Sequence, residues 1–202
     1  MDNIKSWLQT TPYKDYEIEI ASADASFRKY YRLTQGGETF LLMDSSQEKE
    51  SLKPFINVTK KLLAVNVKAP KILEQDLEDG FLIIEDFGST HYLDILDHNN
   101  FEELYKKAID EIVKMQEADV SGLPLYDKEF LTFEMNLMQE WYMEKLLPVS
   151  LDKEQKEIIK DAIDSISDVV LTQPQNVFVH RDFHSRNIMI TKDDEVGVID
   201  YQ

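Results

Sequence analysis

A chain of 202 residues with 43% hydrophobic content has apolar surface for one good core, or for two small lobes that share one. Its 22 basic residues against 39 acidic ones leave a formal charge of -17, which argues against a nucleic-acid or anionic-membrane surface and requires any phosphate-bearing ligand to be small and held locally. The absence of cysteine excludes a disulfide framework, Met1-Asp2-Asn3 lacks signal-peptide character, and no apolar run approaches the roughly 18 residues of a membrane span, so the cytoplasm is the expected compartment.

The first third reads as a small sheet. Tyr16 to Ile20 and Tyr30 to Leu33 alternate, and Thr39 to Met43 follows as a short, mostly apolar run. Gln35-Gly36-Gly37-Glu38 predicts a tight hairpin turn, because consecutive glycines accept the positive φ that a two-residue connection needs. A helix is predicted from about Glu48 to Val65, with Pro54 in its first turn or at a kink. Lys71 to Leu73 and Phe81 to Glu85 read as a second hairpin joined through Leu77-Glu78-Asp79-Gly80.

After Gly88 the apolar spacing becomes helical. Phe101, Leu104, Tyr105, Ala108, Ile112 and Met115 mark one helix face beginning near Asn100, and a second helix is predicted from about Lys128 to Leu147. A third starts at Asp152, which forms a capping arrangement with Gln155, and reaches about Leu171. Val177 to Val179, Ile188 to Ile190 and Val196 to Ile199 read as short strands. The order predicts an α+β chain in two lobes: residues 1–88, an antiparallel sheet plus a helix, and residues 89–202, mainly helical with a late hairpin.

His180-Arg181-Asp182-Phe183-His184-Ser185-Arg186-Asn187 fits the pattern H-R-D-x-x-x-x-N, and Asp200 follows Asn187 by thirteen residues at the end of an apolar strand. Phosphoryl transfer explains that spacing. One carboxylate meets the acceptor hydroxyl, while an amide oxygen and a second carboxylate hold the magnesium that bridges the nucleotide phosphates. Asp182 is the expected catalytic base, and Asn187 and Asp200 are the expected metal ligands, brought together by a hairpin through Lys192-Asp193-Asp194-Glu195. His180 is expected to pack beneath the loop. Arg186 either neutralises phosphoryl charge or pairs with a surface carboxylate.

His184 stands where protein kinases place a lysine, and this points to a small-molecule acceptor. The stretches Ala23 to Leu33, Leu41 to Asp44, Leu82 to Gly88, His184 to Asn187 and Gly197 to Gln202 extend the likeness. Together they resemble the aminoglycoside phosphotransferase family, and within it the bacterial cell-wall amino-sugar kinases. The resemblance implies a two-lobed protein-kinase-like fold, ATP and magnesium as cofactors, and transfer to the anomeric hydroxyl of N-acetylmuramate or N-acetylglucosamine.

Asp86-Phe87-Gly88 spells a magnesium motif but precedes the catalytic loop, so it is read as the lobe connector, where the backbone of Glu85 to Phe87 would meet adenine. Met43 occupies the third strand where a phosphate-binding lysine is expected, and the loop before the second strand lacks glycine. Arg28, Lys29 and Arg32 are the replacement cations considered. Arg28 is chosen, with Ser26 supplying hydroxyl and amide donors, against the alternative of a solvated strand edge. The resembling kinases also carry methionine in that strand. Glu140-Trp141-Tyr142 is read as core more readily than as a sugar-stacking platform.

The chain stops at Gln202, so the helical lobe is expected to be incomplete, with an unfinished acceptor pocket and apolar surface exposed along Val196, Val198 and Ile199. The expected partner is a small-molecule acceptor, without nucleic acid or membrane, and the oligomeric state is left open. Two rival readings remain. One is a nucleotide-binding pseudokinase or interaction module, favoured by Met43; the other is a kinase of an aminoglycoside or amino alcohol, whose cationic acceptor suits an acidic surface.

Overall fold

The computed structural model describes residues 1–22, 28–147 and 149–201. Its amino-terminal part is an antiparallel sheet in the order β1-β2-β3-β5-β4, built from β1 (Glu17–Ser22), β2 (Lys29–Gln35), β3 (Glu38–Asp44), β4 (Ile72–Asp76) and β5 (Phe81–Glu85). Both predicted hairpins are present. Gly36 and Gly37 take φ of 58° and 88°, which suits the right-handed twist of the strands they join.

Strand alternation sends Leu33, Leu42, Phe81 and Ile83 to one face, where they form a core with Ile4 and Leu8. The last two come from α1 (Asp2–Leu8), a helix that the sequence reading passed over because seven residues show barely two turns of periodicity. α2 (Leu52–Ala64) follows a 3-10 turn, Lys49–Ser51. Pro54 falls in the first turn of α2, where a missing N–H costs nothing.

A small hairpin of β6 (Ile188–Ile190) and β7 (Val196–Val198) closes the chain. It packs on α3 (Tyr92–Ile95) and α4 (Phe101–Gln116) through a core of Tyr92, Leu104, Ala108, Ile188 and Val196. The expectation that the late strands expose apolar surface is therefore corrected. Val196 and Val198 are buried, because this core covers one face and the segment around Lys68 adds to the hairpin, Val198 N–H donating to Lys68 O at 2.8 Å. Val177 to Val179 carries no strand pairing among the described residues, although Phe178 is buried.

The remaining helices are α5 (Lys128–Leu137), continued as a π-helix over Met138–Leu146, and α6 (Lys153–Val170). The Asp152 and Gln155 cap of α6 forms as expected. The single helix predicted to Leu147 instead slips register, with pairs five residues apart: Lys145 Nζ lies 2.7 Å from Glu140 Oε1, and Gln139 Nε2 donates to Glu144 Oε1 at 3.1 Å. Trp141 and Tyr142 are exposed here, against the core reading, and the Lys145 ammonium lies 3.5 Å from the Trp141 ring centroid.

The chain forms two compact units, Met1–Asp119 with Phe178–Gln202, and Val120–Val177. They do not divide at residue 88, since the β6–β7 hairpin packs with the sheet-bearing part. No helix among the described residues is long and apolar enough to cross a membrane.

Candidate active site

The loop from His180 to Asn187 is held from below. His180 is buried, and its Nε2 lies 3.0 Å from Ile199 O; a carbonyl only accepts, so the ring donates there. Burial holds the His180 imidazole below its ordinary pKa despite that bond and the nearby Asp200 and Asp182 carboxylates. Its ring meets Phe183 and Tyr201 edge-on, in keeping with the packing role expected of it.

Above this floor three predicted residues converge. Asn187 Nδ2 donates to Asp182 O at 3.0 Å, to Asp182 Oδ2 at 3.2 Å, and approaches Asp200 Oδ2 at 3.4 Å. The β6–β7 register produces this, since Ile188 pairs with Val198 and Ile199 N–H donates to Asn187 O. Arg181 and Asp200 have φ of 73° and 58°, a left-handed conformation that costs non-glycine residues roughly 1–3 kcal/mol each.

Asp182 Oδ1 lies 3.0 Å from His184 Nε2, and His184 Nδ1 accepts from Arg186 N–H at 3.2 Å. Arg186 has an exposed side chain, while its carbonyl receives His91 Nδ1–H at 2.6 Å. His91 is the N-cap of α3, its backbone N–H donating to Asp94 Oδ2 at 2.9 Å, and the same segment is zipped to the loop by Leu93 N–H to Ser185 O and Ile190 N–H to Thr90 O, each 3.0 Å.

The connector is built around Asp86. Arg32 Nε and Nη2 donate to its two oxygens at 2.8 and 3.2 Å, Arg32 Nη2 also reaches Gly88 O at 3.0 Å, and Gly88 N–H donates to Asp86 Oδ1 at 2.9 Å. Burial by itself would raise the Asp86 pKa, but its bonds to Arg32, Thr39 and the Gly88 amide outweigh that and hold it below the usual carboxylate value. Arg32 is thus engaged at the connector, which removes it from the phosphate-binding candidates.

Glu85 N–H donates to Lys71 O at 2.9 Å, and its carboxylate meets Lys68 at 3.4 Å; Lys68 also reaches Glu195 at 3.1 Å. Burial would lower the Lys68 pKa, and its bonds to Glu195 and Glu85 overcome that to raise it. Phe87 is buried on β7, where a Cβ added at Gly197 would lie 2.6 Å from the Phe87 ring.

Met43 is fully buried, and α2 contains no acidic residue, so both members of the usual strand-lysine and helix-glutamate pair are replaced. α2 joins the site differently. Tyr201, beside Asp200, stacks on Phe55 at 5.5 Å and 8°, and its hydroxyl lies 2.8 Å from Thr59 Oγ1. Because Thr59 spends its one proton on Phe55 O, Tyr201 must be the donor. The Arg28 guanidinium lies 5.5 Å from the Phe55 ring centroid. Ser26 lies outside the described residues.

Magnesium takes hard oxygen ligands and is commonly held by one or two carboxylates plus substrate phosphates. By its chemistry an asparagine amide oxygen beside the Asp200 carboxylate suits that demand, while the Asn187 atom that approaches Asp200 Oδ2 here is Nδ2; no group of three or more histidine, aspartate or glutamate side chains suited to a metal forms among the described residues.

A sheet-and-helix body with this carboxylate-asparagine-carboxylate cluster is a kinase-like α+β fold, and the solved structures agree. A ternary complex of the aminoglycoside phosphotransferase APH(2")-IIa with streptomycin and ATP aligns with TM-score 0.69 at 18% identity, covering 98% of this chain and 69% of that one. Choline kinase LicA from Streptococcus pneumoniae aligns with TM-score 0.65 at 14% identity, covering 99% and 67%. The model of the phosphotransferase enzyme family (APH) matches residues 17–202, and the chain belongs to that family.

Among curated relatives, the N-acetylmuramate/N-acetylglucosamine kinase of Pseudomonas aeruginosa is 40% identical over 187 residues, covering 92% of this chain and 55% of that protein. Its namesake from Neisseria meningitidis serogroup B is 37% identical over 206 residues, covering 98% and 60%. The chain thus spans little more than half the length of these relatives.

Proposed function

We propose that this chain is the nucleotide-binding and catalytic part of an ATP- and magnesium-dependent kinase of an N-acetylated amino sugar, acting on the anomeric hydroxyl. The convergence of Asp182, Asn187 and Asp200 across one hairpin carries the reading, and the named function of the relatives at 37–40% identity supports the acceptor.

In this reading Asp182 accepts the proton of the acceptor hydroxyl as its oxygen forms a bond to the γ-phosphorus; the bond from phosphorus to the β,γ-bridging oxygen breaks and ADP leaves. A hemiacetal hydroxyl is more acidic than an ordinary alcohol, so a carboxylate is a sufficient base. Asn187 and Asp200 would hold magnesium, whose charge neutralises the phosphates. A purine would meet the Glu85 carbonyl and the Phe87 backbone, because the Glu85 amide is already bonded to Lys71. Arg28 and Ser26 would supply the phosphate grip, and Arg186 would face phosphoryl charge. By role, residues 1–88 would supply the nucleotide lobe and 89–202 the catalytic lobe, a division that differs from that of the two compact units.

The test is phosphotransfer by the full-length protein across N-acetylmuramate, N-acetylglucosamine, an aminoglycoside and choline, with a reducing-end assay on the product. Anomeric transfer consumes the reducing end, so sugar-dependent ADP release with an intact reducing end would refute the anomeric assignment. Met43 supports a second reading, nucleotide binding without transfer. Magnesium-dependent ATP binding with no turnover on any acceptor would favour it.

A further inference from the structure

Asp182 is half-open to solvent, and an exposed carboxylate turns freely unless both oxygens are engaged. Its side chain is 60% exposed and that of His184 48%, so their contact adds little to folding stability. Its value must lie elsewhere. The ring geometry assigns the proton: the Arg186 backbone N–H can only donate, so His184 Nδ1 accepts and carries no hydrogen, and the neutral ring holds its proton on Nε2. That Nε2–H points at Asp182 Oδ1 at 3.0 Å, while Asn187 Nδ2 engages Oδ2 at 3.2 Å. Two donors on separate oxygens fix the carboxylate plane, and each donor belongs to the same short loop.

We propose that His184 is a positioning residue for phosphoryl transfer: the Arg186 amide locks its Nε2–H tautomer, which orients the Asp182 carboxylate toward the acceptor hydroxyl. The proposal rests on the kinase reading. It differs from a loop-capping role, in which only the bond from Arg186 N–H would matter, and two near-isosteric substitutions separate the roles. In His184→Gln the amide nitrogen reaches the place of Nε2 and keeps the donor; in His184→Asn the amide oxygen takes the place of Nδ1 and keeps only the cap.

The full-length protein is assayed with N-acetylglucosamine beside both variants and His184→Ala. Positioning predicts that Gln retains kcat within about threefold, while Asn and Ala lower it about 10–100-fold at unchanged KM for ATP and unchanged thermal melting. The reverse order, Asn active and Gln impaired, overturns the proposal. Nitrogen-15 NMR of the same protein at about pH 8 reads the tautomer without turnover. A ring protonated at Nδ1 overturns the proposal even in an active enzyme, and a protonated Nε2 that shifts in Asp182→Asn supports it. Failure of the parent on every acceptor counts against the kinase reading alone.

Discussion

At the scale of single residues the site is a set of hydrogen-bond directions. Asp182→Asn keeps the shape of the proposed base and removes its capacity to accept a proton, so kcat should fall at least about 100-fold while nucleotide binding persists. Asp200→Ala should instead weaken magnesium-dependent nucleotide binding, and an ATP titration with and without magnesium distinguishes the two. Asp86 supplies a pH prediction. Its folded pKa lies below the ordinary carboxylate value, so the unfolded chain binds the proton more readily; the stabilisation is fully present above about pH 4 and fades as pH falls through the folded value. Denaturant midpoints of the parent and Asp86→Asn should differ at neutral pH and converge in acid. A constant difference would show that the Arg32 bond does not depend on the Asp86 charge.

At the scale of elements, α2 and β7 reach the site through neutral contacts. Thr59→Val would leave the buried Tyr201 hydroxyl without its acceptor, at a cost of about 1–3 kcal/mol; Tyr201→Phe removes only the donor, and Thr59 keeps its bond to Phe55 O, so the loss should be nearer 1 kcal/mol. Urea unfolding of the two variants checks the order. β7 meets the connector at Gly197, where a side chain must displace the Phe87 ring. Gly197→Val should cost about 1–3 kcal/mol and also raise KM for ATP, because the connector moves with the ring. Stability lost at constant KM would separate Phe87 from the nucleotide site.

At the scale of the whole molecule, a net charge of -17 spread over 202 residues makes the folded state repel itself. Added salt screens that repulsion, since the Debye length shrinks from about 10 Å at 0.1 M to 3 Å at 1 M. The melting temperature should therefore rise between 0.05 and about 0.5 M sodium chloride. A fall would mean that attractive surface pairs such as Lys61 with Asp119 outweigh the net field. The grouping of residues 178–202 with 1–119 is also a property of the whole, because the β6–β7 hairpin leans on the Lys68 segment and on Phe87 rather than on its neighbours in sequence.

What was legible in the sequence was local. The Gly36-Gly37 turn, the α6 cap, the sheet hairpins and the ordered run from His180 to Asn187 with Asp200 each follow from residues within a few positions of one another, or from a spacing that one hairpin closes. The π-helical slip after Leu137 was hidden because apolar periodicity over nine residues hardly distinguishes an i→i+5 helix from an ordinary one. Long-range partnerships were hidden for a different reason. Arg32 stood among three candidate phosphate cations until its bonds to Asp86, 54 residues away, were seen, and nothing near Tyr201 announces Thr59, 142 residues earlier. A side chain's chemistry is written in the sequence, but which of several partners claims its hydrogen bonds is decided only when packing brings distant elements together and buries the losers.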